Sequence, residues 1–64
     1  MGIKIPKGEV LWETYVIKGE ERYIVTSKPV RDYYYIYEIL GDSLKKLGKA
    51  RTPVELRSYV RDGV

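Results

Sequence analysis

The sequence predicts an α+β domain that is mainly β: an antiparallel four- to five-stranded meander or small barrel with one C-terminal helix, in the order ββββα. Three observations predict it. Segments rich in Val, Ile, Thr and Tyr, which favour strands, fill most of the chain up to Ala50. Three turn signals, Lys18-Gly19-Glu20, Lys28-Pro29-Val30-Arg31-Asp32 and Gly41-Asp42, cut that stretch into strand-sized pieces. Beyond it, Thr52-Pro53-Val54-Glu55 has the order of a helix start.

The elements follow from those signals. Strands are predicted near 9–17, 22–28, 33–40 and 43–50, and Ile3-Lys4-Ile5 as a short additional edge strand ended by Pro6. A helix is predicted near 53–62. Thr52 is its N-cap, Pro53 takes the first helical position, and Glu55 completes a capping box. Leu56, Tyr59 and Val60 then share one face, Arg57 and Arg61 lie one turn apart on another, and Gly63 ends the helix.

The turns also predict a register. A two-residue loop at Gly41-Asp42, with glycine first, suits a type II′ hairpin. It sets Glu38 opposite Lys45, Ile39 opposite Leu44, Ile36 opposite Leu47, and Tyr35 opposite Gly48, where a ring can cover the glycine. A loop at Gly19-Glu20 pairs Lys18 with Glu21, Val16 with Tyr23 and Tyr15 with Ile24, and a four-residue loop at 29–32 pairs Val25 with Ile36. One face then carries Trp12, Val16, Tyr23, Val25, Ile36, Leu40 and Leu47, which the helix is expected to cover. The other carries Leu11, Tyr15, Ile17, Ile24, Tyr33, Tyr35, Tyr37, Ile39 and Leu44, with Arg22, Lys28 and Lys46 among them.

Size limits what such a chain can do. Sixty-four residues form a single domain, 1–64, and a domain this small buries only ~60% of its unfolded surface. It contains no Cys and no His, which removes disulfides, the usual zinc ligands, and the commonest nucleophile and general base. Its glycines form no phosphate-cradling loop, and its serines have no activating base in view. No enzyme activity, catalytic residue, cofactor, metal or small-molecule substrate is therefore expected. Asn and Gln are also absent, a composition typical of thermophiles. With no apolar run of membrane length and no signal segment, the expectation is a soluble cytoplasmic protein.

Binding remains, and the charge points to where. Residues 1–40 carry six basic and six acidic side chains, whereas residues 41–64 carry six basic and three acidic ones. The net +3 thus lies in the last third, which suits an anionic partner. The alternating Tyr33, Tyr35 and Tyr37, with Tyr15, Arg22, Lys28 and Lys46, form the candidate surface: rings to stack on bases and cations to neutralise phosphates. Lys49, Arg51, Arg57 and Arg61 form a secondary basic patch. Two other uses of the same tyrosine face stay open. It could line the inside of a small barrel, or it could be a protein–protein interface, as in a homodimer. Non-specific nucleic-acid binding is the leading expectation.

Short strands ending in a C-terminal helix, with Lys18-Gly19-Glu20-Glu21 as an early hairpin turn and Pro53-Val54-Glu55-Leu56 as a late helix start, make the chain resemble the small archaeal chromatin proteins with SH3-like barrels. The resemblance implies a twisted sheet lying on duplex DNA and wedging apolar side chains into its minor groove. The chain departs from that family in its sparser lysine and in the placement of Trp12 in the first hairpin. No individual contact residue is carried over.

Overall fold

The computed structural model describes residues 4–60. Four strands, β1 (Val10–Ile17), β2 (Glu20–Lys28), β3 (Tyr33–Leu40) and β4 (Ser43–Ala50), form one antiparallel sheet in the order β1-β2-β3-β4. A short 3-10 helix, η1 (Pro53–Tyr59), follows. The sheet is an open meander with β1 and β4 as its two edges, so the barrel alternative is not realised. The proposed fifth strand is not formed at Lys4 and Ile5, and Ile3 lies outside the described residues.

Two of the three turns follow the predicted chemistry. Gly41 takes a positive φ of 63° at the first loop position, and the ladder runs Leu40↔Ser43, Ile39↔Leu44, Glu38↔Lys45. The loop 29–32 is closed by the Arg31 and Asp32 amides, which donate to the Lys28 carbonyl at 3.0 and 2.9 Å. It sets Val25 opposite Ile36.

The first turn differs by one residue. Lys18 (φ 53°) and Gly19 (φ 82°) are the two central residues, and Ile17 pairs with Glu20. Positive φ at both positions is the type I′ pattern, whose twist matches that of the strands. The new loop sets Val16 opposite Glu21, and a bulge that skips Arg22 then sets Tyr15 opposite Tyr23 rather than Ile24. Sliding a two-residue loop by one residue keeps each side chain on its face; the one extra residue of the bulge exchanges faces. Tyr15 and Ile17 consequently pack with Tyr23, Val25 and Ile36, while Val16 is left 59% exposed.

The second departure lies in β4. Tyr37 faces Lys46, but Ile36 faces Gly48, so Leu47 is an extra residue in a β-bulge. Ile36 is thus not opposite Leu47, and Tyr35 meets Lys49 rather than Gly48. Tyr59 of η1, not Tyr35, covers the glycine: a Cβ on Gly48 would fall on the Tyr59 Cζ and Oη.

The helix is shorter and tighter than predicted. Thr52 is extended (φ −130°, ψ 147°), but its hydroxyl bonds the Glu55 carboxylate at 3.1 Å and caps no backbone amide. Val60 is extended again (φ −85°, ψ 125°), so the helix ends at Tyr59. Seven residues repay little of the cost of an α-helical nucleus. A repeat of three residues per turn also stacks Pro53, Leu56 and Tyr59 over the sheet. Leu56 is completely buried against Val25 and Ile36, the face the helix was expected to cover. Arg57 is exposed on η1, and Arg61 and Gly63 lie outside the described residues.

The opposite face is closed by the segment before β1. Ile5 packs on a second cluster of Ile24, Tyr35 and Tyr37, flanked by Tyr33, Ile39 and Leu44. Pro6, Lys7, Gly8 and Glu9 form a turn in which the Glu9 amide donates to the Pro6 carbonyl at 3.1 Å. Gly8, at φ 86°, supplies the positive φ that the third residue of a type II turn requires. That turn delivers the Glu9 side chain to the sheet.

Candidate nucleic-acid interface

Strand alternation sends Tyr33, Tyr35 and Tyr37 to one side of β3, and the β4 bulge determines which cations join them. Residues three apart in a regular strand face opposite ways. Because Leu47 is extra, Lys46 lies opposite Tyr37 and Lys49 opposite Tyr35, both on the tyrosine face. Arg51, two residues further on, follows Lys49 to the same side. The contacts agree: Lys46 Nζ sits 4.3 Å from the Tyr35 ring centroid and 5.8 Å from that of Tyr37. Lys49 Nζ lies 5.0 Å, and the Arg51 guanidinium 5.8 Å, from the Tyr33 ring. Each is within the ~6 Å over which a ring's negative face attracts a cation.

The tyrosines themselves are less available than the sequence suggested. Tyr35 is 9% exposed and Tyr37 5%, while Tyr33 is half-buried. The Tyr37 hydroxyl points inward and donates to Glu9 Oε1 at 2.8 Å and Oε2 at 3.1 Å. Thr26 Oγ1, on a wholly buried residue, donates to the same Oε1 at 2.7 Å. Burial, then the hydrogen bond to Glu9 and its negative charge, then Tyr35, push the ionisation of Tyr37 well above the ordinary tyrosine value; the Thr26 hydroxyl opposes them.

The remaining candidates divide. Lys28 lies opposite Tyr33 in the β2–β3 ladder and borders a cleft of about 190 Å³ with Ser27, Pro29, Asp32, Tyr33 and Tyr34. Arg22 is exposed and reaches Glu20 at 3.9 Å, the only ion pair among the described residues. Tyr15 belongs to the other face, for the register reason given above. Lys46, Lys49 and Arg51 therefore have no carboxylate partner among the described residues. No group of three acidic, Cys or His side chains is placed there to hold a metal ion, and no described helix is long and apolar enough to cross a membrane.

Sequence reasoning joined Lys46 to the tyrosines but set Lys49 and Arg51 apart as a second patch. The bulge makes them one strip. It also missed Glu9, whose role depends on the Pro6–Glu9 turn. Gly8, at the third position of that turn, is a readable type II signal. Comparison with family models, with curated proteins and with solved structures found no match.

Proposed function

We propose that this chain is a non-enzymatic module that binds nucleic acid through phosphate contacts, without sequence preference, along the cationic strip of β4. The observation that carries the reading is the placement of Lys46, Lys49 and Arg51 on one face over Tyr33 and Tyr35, without carboxylate partners among the described residues. The rings hold the cations extended over the sheet, which lowers the entropy lost when they meet phosphates. Successive cations stand opposite Tyr37, Tyr35 and the vicinity of Tyr33, so their spacing is about 7 Å, two residues of strand rise. A duplex strand rises ~3.4 Å along its axis per phosphate and winds around it as well, so neighbouring phosphates stand farther apart in space than that rise, on the scale of the cation spacing.

The structure narrows the role of the tyrosines. Tyr35 and Tyr37 are buried and capped, which leaves Tyr33 as the ring on β3 with free area for a base. Phosphate neutralisation, rather than a stacking platform, is the main mode. A protein interface on this face has little aromatic surface to bury, for the same reason.

Fluorescence anisotropy with labelled single- and double-stranded oligonucleotides tests the reading. Binding at low salt should weaken with a log–log slope of about −3 for duplex, as three to four neutralised phosphates require. Lys49→Ala and Arg51→Ala should each reduce the slope by about one. Absence of binding at low salt, or a slope unchanged by both substitutions, would show the proposal to be wrong.

A further inference from the structure

The β2–β3 connection shapes a cleft of about 190 Å³, lined by Ser27, Lys28, Pro29, Asp32, Tyr33 and Tyr34. Its walls are fixed locally. The Arg31 and Asp32 amides both donate to the Lys28 carbonyl. Asp32 takes a positive φ of 60°, which aspartate tolerates better than most side chains. The Tyr34 ring is held by Trp12, edge-on at 5.3 Å. Tyr33 belongs to the cleft and to the cationic strip at once, since Lys49 and Arg51 lie over its ring. The cleft thus adjoins the strip. It also carries charge of both signs: Lys28 and Asp32 line it together, yet they make no ion pair with each other.

We propose that this cleft receives one cytosine base of a single-stranded nucleic acid whose phosphates lie along the strip. The inference rests on the phosphate-binding reading above and adds a base preference at one position. Size selects the class of base. A cavity of about 150 Å³ accommodates benzene, so this one admits a single six-membered ring with its substituents, and the fused rings of a purine need more. Charge selects within the class. Cytosine presents its N4 amino group as a donor and its O2 carbonyl as an acceptor, and the cleft offers the Asp32 carboxylate to the first and the Lys28 ammonium to the second. Uracil and thymine carry a carbonyl in place of that amino group, which sets lone pairs against the carboxylate. Tyr33, the ring on β3 with free area, supplies a face for stacking. A base paired in a duplex is not free to enter, so the preference belongs to single strands.

Amide NMR spectra recorded with cytidine and with uridine, nucleosides that carry no phosphate, test the cleft apart from the strip. Cytidine at millimolar concentration should shift the amides of residues 27–34, and uridine should bind at least about fivefold more weakly. By fluorescence anisotropy, single-stranded oligo-dC should likewise bind at least about fivefold more tightly than oligo-dT at equal salt. Asp32→Asn keeps a residue suited to positive φ but adds a donor to the acceptor, so it should abolish that ratio while far-UV circular dichroism is kept. Lys49→Ala should weaken both oligonucleotides alike and leave the ratio unchanged. Cleft amides unmoved by cytidine, equal affinity for the two nucleosides, tighter binding of purine oligonucleotides, or a ratio that survives Asp32→Asn would each overturn the proposal. Salt-dependent binding without base preference would overturn the cleft alone. Cleft shifts with cytidine but no oligonucleotide binding would overturn the strip and leave base recognition standing.

Discussion

Tyr37→Phe probes the polar cluster of Glu9, Thr26 and Tyr37. The substitution removes a hydroxyl that donates to Glu9 at 2.8 and 3.1 Å and leaves the ring in place. A hydrogen bond to a charged group contributes ~1.5–3 kcal/mol. Glu9 is only partly buried and keeps its bond from Thr26, so the lower end, about 1.5 kcal/mol, applies. In a domain expected to have only ~3–5 kcal/mol in all, that is a large share. It corresponds to a drop in Tm of about 6–12 °C. The pH dependence adds a second signature. The folded-state value of Tyr37 lies above the unfolded one, so the folded chain holds the phenolic proton more tightly. The associated stability is complete below pH ~10, the unfolded value, and is lost progressively as pH rises toward the folded value. Urea unfolding at neutral pH and at steps above pH ~10 measures both effects. The wild type should lose stability more steeply than Tyr37→Phe, so the two converge. Equal stability at neutral pH, or parallel alkaline slopes, would refute the reasoning.

Three further outcomes are expected. Gly48→Ala should displace the Tyr59 ring and cost about 1 kcal/mol in thermal unfolding; with Tyr59→Ala already present it should instead be neutral or stabilising, because glycine is a poor strand residue. Leu56→Ala opens a cavity under η1 and should cost ~2–5 kcal/mol, enough to leave much of the chain unfolded by circular dichroism at 25 °C. Gly8→Ala forces an alanine into φ 86° and should destabilise by about 1 kcal/mol, and the loss should shrink in a Tyr37→Phe background because the turn's main use is to place Glu9.

Strand existence was legible because turn chemistry and β-forming residues agreed along the chain, and Gly41 and the 29–32 loop behaved as their composition implied. Register was legible only where one turn type was clearly preferred. The first loop was placed at Gly19-Glu20, whereas Lys18 accepts a positive φ and the loop forms at Lys18-Gly19. The bulge that follows, which skips Arg22, moved Tyr15 out of the candidate surface. The β4 bulge could not be read from Leu47 and Gly48, whose surroundings include Tyr59, eleven residues beyond Gly48 and lying over it. The start of the helix was read in place, but neither its end nor its type. Its start signals are shared by α and 3-10 helices, while its length and spacing over the sheet favour the tighter form.

The extra residue in β4 has a consequence for reading any relative of this chain. A strand is read in a frame of two, and Leu47 shifts that frame once, between one lysine and the next. A chain with the same basic residues but one residue fewer or more in this segment would put part of its charge against the helix-bearing side. Segment length between the lysines, more than identity at any one position, would then decide whether a related sequence keeps the cationic strip. An alignment that closes this one-residue gap for convenience would erase the feature that assembles the strip.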